Sequence, residues 1–480
     1  MIGLEEGLAV WLRSRGRGRW RAVPARVGEV AEQSAVVGPA VPDERTVHFV
    51  LDLALRIGEV QMTSGAGASD VTATIIAVAE AYGLPHTEVD VIFTSITVAC
   101  HRGTEESPVT SLRVVRSRSL DYTRLADVET LVQDITGGRL PVREAYAEFN
   151  RITSAVHPYP RWLATVAWGG MAAAITFLIG GPPLMALFAA VITAVVDRVG
   201  RLLNRRALPF FFQQVAGGAL ATGGALALHA SGLLPTARPT VLVAAAITVL
   251  LSGLSVVSTV QDAISGYNVT AAGRAMEVTL MTAGLIAGVV LALNVAVSLG
   301  MPETPLADPL PPSAVRLPAQ TLAAAVAAAL FALASYARPA ALVVAGIAGG
   351  VGAAAFGGMA LAGAGPIAAS AVAAVVIGFG GGVMSRRLRM APLIVAVSGM
   401  VPLLPGLTTY RALYELAIQR STTGLSTLMT AVAIALALAA GVVLGEFLAQ
   451  PVRTGLGRLE RRLAGPRMSG PLRPTRRRLE

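Results

Sequence analysis

Two stretches of this chain, 153 residues apart, read alike: LLSGLSVVSTVQD at 250–262 and LLPGLTTYRALYE at 403–415. Leu250, Leu251, Gly253 and Leu254 recur as Leu403, Leu404, Gly406 and Leu407. Ser255 becomes Thr408, and Asp262 becomes Glu415. The same shift lays five apolar segments, near 162–180, 183–199, 210–229, 240–258 and 275–299, over five others near 319–336, 340–356, 364–384, 391–412 and 427–449. Each approaches the ~20 residues that cross a bilayer core. A repeated unit with an odd number of spans sits upside down relative to its copy. The expected fold is therefore an α-helical polytopic membrane protein, with ten transmembrane helices arranged as two inverted five-helix repeats. In such folds the substrate site lies near the midplane, where the repeats meet.

Composition agrees. Hydrophobic residues make up 54% of the chain and charged residues only 14%, against about 25% charged in soluble domains. The net charge is +10, and all 39 basic residues are Arg. These cluster beside apolar spans, which fits topology control better than nucleic-acid binding. Arg198, Arg201, Arg205 and Arg206 follow the second span, Arg386, Arg387 and Arg389 follow the eighth, and Arg453 to Arg478 crowd the C-terminal tail. The connections near 180–183, 230–239, 300–318 and 363 carry few. The positive-inside rule then puts both termini in the cytoplasm, in a multi-pass inner-membrane protein, and an even count of ten spans satisfies it. The single cysteine, Cys100, excludes an internal disulfide and a cysteine-based zinc site. No metal or cofactor is expected, and the missing Walker A loop argues against ATP-driven transport.

The expected organisation is a disordered basic tail at 1–43, a small cytoplasmic α/β domain at 44–157, repeats at 158–300 and 319–450 joined by an extracytoplasmic linker at 301–318, and a basic cytoplasmic tail at 451–480. No apolar core follows the basic stretch from Arg13 to Arg26, so no signal peptide is read there. Within the α/β domain, apolar periodicity predicts a helix from 44 to Ser64, broken by Gly65 and Gly67. A helix over 70–82, ended by Gly83, follows. Residues 88–100 alternate and read as one strand, residues 111–117 as a second, and helices are expected at 122–136 and 141–156. Asp90, Thr94, Ser95 and His101 invite comparison with a hydrolase. There is no nucleophile elbow, however, and on one continuous strand Asp90 and Ser95 face opposite sides.

Several phrases resemble the threonine/serine exporter family. The run RIGEVQMTSGAGASDVTATIIAVAEAYGL (56–84) is similar to the family's N-terminal signature through Gly58, Glu59, Ser64, Gly65, Ala66, Val71, Gly83 and Leu84. VIFTSITVAC (91–100) resembles the following strand, with central Thr94 and Ser95. QDAISGYNVTAAGRAME (261–277), which contains Asn268, matches through Asp262, Gly266, Gly273 and Arg274, and LLPGLTTY (403–410) resembles the Pro-Gly segment of the second half. The resemblance spans about 45–450. It departs from the family pattern at Ser252, where a Pro is usual, which leaves open how sharply that helix breaks. The resemblance implies export of threonine and serine. Some relatives, split into two chains at the repeat boundary, are associated with export of dicarboxylates such as succinate.

The candidate substrate and proton pathway comprises Asp262, Glu415, Arg274, Gly253, Pro405, Gly406 and Asn268. Ionisable groups at the edge of apolar spans are costly and rarely idle. Asp262 and Glu415 suit proton coupling or an ammonium group; the competing reading puts both in water at span ends. Arg274 suits a carboxylate, or else an internal salt bridge to Asp262 or Glu277, or a positive-inside anchor. Gly253, Pro405 and Gly406 interrupt helices, freeing backbone groups that bind a zwitterion, or merely kink them. Gln213, Gln214 and Asn294 are expected in interhelical hydrogen bonds, and Asp197 beside Arg198 and Arg201. The GxxxG pairs Gly284/Gly288, Gly346/Gly350 and Gly378/Gly382 are expected at close helix contacts. The resulting picture is a secondary exporter of a small polar solute, driven by protons, compatible with a homo-oligomer. A dicarboxylate exporter and a membrane-anchored regulatory or scaffold protein stay open.

This topology is testable. In a Cys100→Ala background, an impermeant maleimide should label Asp308→Cys in intact cells and Asn204→Cys only after lysis. The reverse pattern would overturn the orientation.

Overall fold

The computed structural model describes residues 43–102, 107–116, 120–233, 239–251, 253–301, 308–388 and 390–449. The tails expected at 1–43 and 451–480 lie outside the described residues, save Asp43, as does Ser252.

The N-terminal part begins with α1 (Glu44–Thr63) and α2 (Ala68–Ala81), followed by β1 (Thr87–Ile92), β2 (Ser95–Cys100) and β3 (Val109–Val114), then α3 (Tyr122–Thr136) and α4 (Val142–Ser154). The sheet is antiparallel in the order β1-β2-β3. The run expected to form one strand over 88–100 is thus a hairpin. Phe93 adopts a positive φ of 53° and turns the chain, in a sequence lacking the Asn-Gly or Asp-Gly that usually marks such turns. The pairing also corrects the facing argument. Asp90 lies opposite Thr97, and Thr97 and Ser95 are two apart on β2, so Asp90 and Ser95 share one face of the sheet. His101 instead sits beside Glu88, at 4.0 Å.

Next come α5 (Arg161–Leu178), α6 (Pro183–Arg205), α7 (Phe210–Ala230), α8 (Pro239–Leu250), α9 (Gly253–Ile264) and α10 (Asn268–Ser298). After the linker follow α11 (Leu317–Ala334), α12 (Pro339–Leu361), α13 (Pro366–Leu388), α14 (Pro392–Met400), a 3₁₀ turn at Val401–Leu403, α15 (Gly406–Ala417) and α16 (Thr423–Ala449). Six of these, α6, α10, α11, α12, α13 and α16, are long and apolar enough to cross a bilayer, and the spans number up to eight if each bent pair, α8–α9 and α14–α15, counts as one. The other two expected spans, α5 and α7, have 18 and 21 residues. Arg161, Thr165 and two Gly dilute the apolarity of α5, and Gln213, Gln214 and four Gly that of α7. Outward-facing apolar side chains recur at helical spacing, as with Leu187, Val191 and Val195 of α6, all exposed. Such a stripe suits contact with lipid.

The two sets of helices pack by the same scheme. Helix α5 lies on α6 as α11 lies on α12, and α7 on α10 as α13 on α16. Helix α8 touches α5, α6 and α7, and α14 touches α11, α12 and α13. Between the sets, α5 meets α11, α9 meets α16 as α15 meets α10, and α8 meets α15 as α14 meets α9. Glycine allows the tightest of these contacts. A Cβ on Gly288 of α10 would overlap the Val215 carbonyl of α7, and one on Gly445 of α16 would overlap the Val375 carbonyl of α13. The pairs Gly284/Gly288 and Gly378/Gly382 sit at these seams, and Gly346/Gly350 at the seam between α12 and α11. Asn294 differs from expectation. It is exposed, and its amide donates to Val290 O of its own helix.

The N-terminal part is anchored in the bundle core. Tyr122, at the start of α3, is 1% exposed and packs edge-on to Phe331 of α11, with ring centroids 6.3 Å apart. Its amide donates to Ser335 O at 2.9 Å. Thr123 donates to Tyr336 O, and Arg338 pairs with Asp127. Burial pushes the Tyr122 phenol well above its ordinary pKa, with Ser398 acting weakly the other way, so the group stays neutral. Tyr122→Ala should therefore cost about 3–5 kcal/mol and lower the unfolding temperature of the detergent-purified protein. Tyr122→Phe, which keeps the ring, should stay close to wild type.

Candidate functional site

The centre of the bundle is where the two bent helix pairs cross. Helices α8 and α9 meet at 50°, and α14 and α15 at 46°. The same short turn makes each break: Gly253 N donates to Leu251 O at 2.9 Å, and Gly406 N to Leu404 O at 2.8 Å. The bend between α8 and α9 is thus as sharp as the one at Pro405. Each break is seated on the other bent pair. A Cβ on Gly253 would lie 2.9 Å from Met400 Cε, with Leu404 just beyond, while one on Gly406 would overlap the Thr248 hydroxyl and lie 2.9 Å from Ala244 O. A breaking helix leaves carbonyls without intrahelical partners. Gln214 Nε2 reaches one of these, Leu250 O, at 3.4 Å, the interhelical bond expected of it. Gln213 instead bonds locally, to Leu208 O.

The two acids end the second half of each bent pair. Asp262 is fully buried, and its Oδ2 lies 2.9 Å from Arg274 Nη1, also buried. Glu415 is 8% exposed, and its Oε2 accepts from the Thr427 hydroxyl at 2.8 Å. Arg274 lies twelve residues after Asp262, and Thr427 twelve after Glu415. The 153-residue shift maps one pair onto the other, with a guanidinium replaced by a hydroxyl. Sequence reasoning set Asp262 and Glu415 together but missed Thr427, although the same shift applied to Arg274 lands on it.

The N-terminal part meets the first pair. Asp262 Oδ1 accepts from Ala68 N at 2.6 Å, and Arg274 Nη2 donates to Ala66 O at 3.0 Å. The Asp262 carboxylate thus sits before the first turn of α2, where the helix dipole favours an anion. Gln261 donates to Asp70 at 2.8 Å, Tyr267 to Thr72 at 3.0 Å, and Thr270 bridges Val91 O and Phe93 N. Glycines permit the approach. A Cβ on Gly65, which has a φ of +92°, would meet Leu254. One on Gly67 would lie 2.8 Å from Gln261, and one on Gly273 2.7 Å from Phe93.

The remaining candidates are placed as follows. Gly58 lets α1 close on α2, where a Cβ would lie 2.7 Å from Ile75. Glu59 is salt-bridged to Arg113 of β3, and Ser64 is buried at the end of α1. Thr94 and Ser95 form the hairpin beside α10; Thr94 O accepts from Val115 N. Asn268 is exposed at the first position of α10, away from the buried pair. Pro405 immediately precedes α15. Asp197 pairs with Arg201. Among the described residues no cluster of His, Cys, Asp and Glu could hold a metal ion.

A family model for threonine/serine exporters matches residues 52–296, and a second, described as "Threonine/Serine exporter, ThrE", matches 320–448. The chain belongs to the threonine/serine exporter family. The "Probable threonine/serine exporter" of Mycobacterium tuberculosis is 40% identical over 425 residues, 87% of this chain and 79% of the relative. The "Threonine/serine exporter" of Corynebacterium glutamicum is 34% identical over 444 residues, 91% and 90% of the two chains. No solved structure matches. The gap between the two family models falls on the linker that separates the two sets of helices.

The two pairs should respond differently to loss of a partner. Arg274→Met strands a buried carboxylate and should cost about 3–5 kcal/mol. Thr427→Val removes one hydroxyl donor and should cost about 1 kcal/mol. Thermal unfolding of the two purified variants checks the order.

Proposed function

We propose that this exporter carries threonine and serine out of the cell, across the inner membrane, as a ten-span secondary transporter of two inverted five-helix repeats driven by entering protons. The single observation that carries this reading is the reciprocal seating of the broken helices, Gly253 on Met400 and Leu404, and Gly406 on Thr248 and Ala244. Broken helices meeting at a repeat interface bring helix ends into a low-dielectric setting, which suits a zwitterion. A repeat is supported by the matching helix contacts, and an odd number of spans in each copy would invert it. Inversion also fits the neighbours of the two acids. The N-terminal part lies at Asp262, whereas Asp308 of the linker pairs with Arg411, one turn before Glu415, at 3.1 Å. An odd number of spans per repeat puts these two ends on opposite sides, the first cytoplasmic with both termini, the second extracytoplasmic.

Asp262, Arg274, Gly253, Pro405, Gly406 and Glu415 then define the pathway, and Glu415 is its proton-coupling acid. Asp262 is engaged by a guanidinium at 2.9 Å, whereas the partner of Glu415 is a neutral hydroxyl at 2.8 Å. The engagement of Arg274 with Asp262 leaves little cationic surplus for a dicarboxylate. Exporting a neutral zwitterion against one entering proton moves one positive charge inward, worth about 2.3 kcal/mol per 100 mV, enough for roughly a fifty-fold gradient.

Counterflow of labelled threonine, serine and succinate in proteoliposomes tests the substrate, and threonine and serine should exchange while succinate does not. Glu415→Gln should keep threonine counterflow but lose uphill export driven by a pH step. Full pH-driven export in this variant would remove Glu415 from the coupling role.

A further inference from the structure

The loop that joins α1 to α2 holds the Asp262–Arg274 pair in a chemically specific way. The two charged side chains face each other directly, and each spends a further valence on the loop. The guanidinium donates to the Ala66 carbonyl, and the carboxylate accepts from the Ala68 amide. One acceptor and one donor, a single glycine apart, thus fill the two positions beside the pair. An α-amino acid offers the same two functions at similar separation: a carboxylate for Arg274 and an ammonium for Asp262.

We infer that Ala66–Gly67–Ala68 is a built-in substrate mimic, occupying an amino-acid loading site formed by Asp262 and Arg274 at the inner end of the first repeat. An arriving amino acid must displace it. This rests on the amino-acid export reading above and adds a site and an occupant to it.

Three features support displacement as a single event. The loop has no side chain beyond a methyl at Ala66, Gly67 or Ala68, so its hold on the pair is made by backbone groups that a small ligand can replace. Close packing of Gly65 on Leu254 and Gly67 on Gln261 pins it only while the backbone fits. The Tyr122 anchor lies on other helices, α11 and α14, so the N-terminal part stays attached when the loop leaves. The second repeat has no equivalent charge pair. Thr427 replaces Arg274, and the loading site belongs to one repeat alone.

The site also explains a reversal of roles. Asp262 and Arg274 were read from sequence as candidates for substrate or for an internal salt bridge. The geometry makes the two readings successive states of one pair, with the salt bridge closed by the loop in the absence of ligand and by the amino acid in its presence.

Two measurements on the full chain in a Cys100→Ser background test this. In the first, Ala66→Cys is exposed to a maleimide in inside-out vesicles. Threonine should raise the labelling rate several-fold, and Asp262→Asn should abolish the rise. Labelling that threonine leaves unchanged or slows overturns the inference. In the second, Gly67→Cys is combined with Gln261→Cys, whose shorter side chain makes room for the new one. The pair is oxidised to tie the loop down. Threonine counterflow should fall at least tenfold and recover on reduction. Undiminished counterflow by the oxidised protein overturns the inference while leaving the export reading intact. Absence of threonine counterflow in the unmodified protein would instead sink the export reading itself.

Discussion

A helix that breaks inside a membrane must find partners for the backbone groups it releases, because lipid provides none. In this chain each break makes its own tight turn and packs on the other. The glycine that opens α9 rests on the end of α14 and the residue beyond it, and the glycine that opens α15 rests on α8. Gln214 of α7 covers a carbonyl left at the end of α8. Each bent pair thus packs on the other, and the two sets of helices share one interior. Everything placed around the centre, from the acids at the ends of α9 and α15 to the seams of α10 and α16, follows from that mutual seating.

The two repeats share a frame but differ in charge. The first carries Asp262 with Arg274 and a folded α/β part laid over both. The second carries Glu415 with Thr427, and a linker aspartate bound to nearby Arg411. A symmetric frame suits a protein that opens alternately to two sides. Unequal chemistry at its two ends suits one that works in a direction.

Much of this was legible in the sequence, and the failures have physical causes. The 153-residue echo located both breaks, because glycine and leucine at a helix interruption leave a recognisable pattern. It did not reveal that the α8–α9 pair bends as sharply as the pair broken at Pro405, with Gly253 seated on Met400 and Leu404. The α1 and α2 helices were readable from periodicity and from Gly83. The hairpin at Phe93 was not, because the positive φ is imposed by contacts with Thr270 and Gly273, residues almost two hundred positions away. Gly65 and Gly67 were read as helix breakers, and they are. Their second use, letting a loop approach α9, depends on tertiary packing that no local pattern encodes. Asn268, drawn in by its neighbours in the motif, stands exposed at a helix start.

The glycine seams between α7 and α10, and between α13 and α16, have a mechanical meaning. Where two helices touch backbone to backbone there is no cushion of side chains to shear. A slip of one residue, ~1.5 Å along the axis, would drive a bulkier neighbour into the carbonyl that the glycine now admits. Each of these pairs is therefore a strut. In the proposed alternating access, these pairs move together as stiff double beams rather than sliding as single rods.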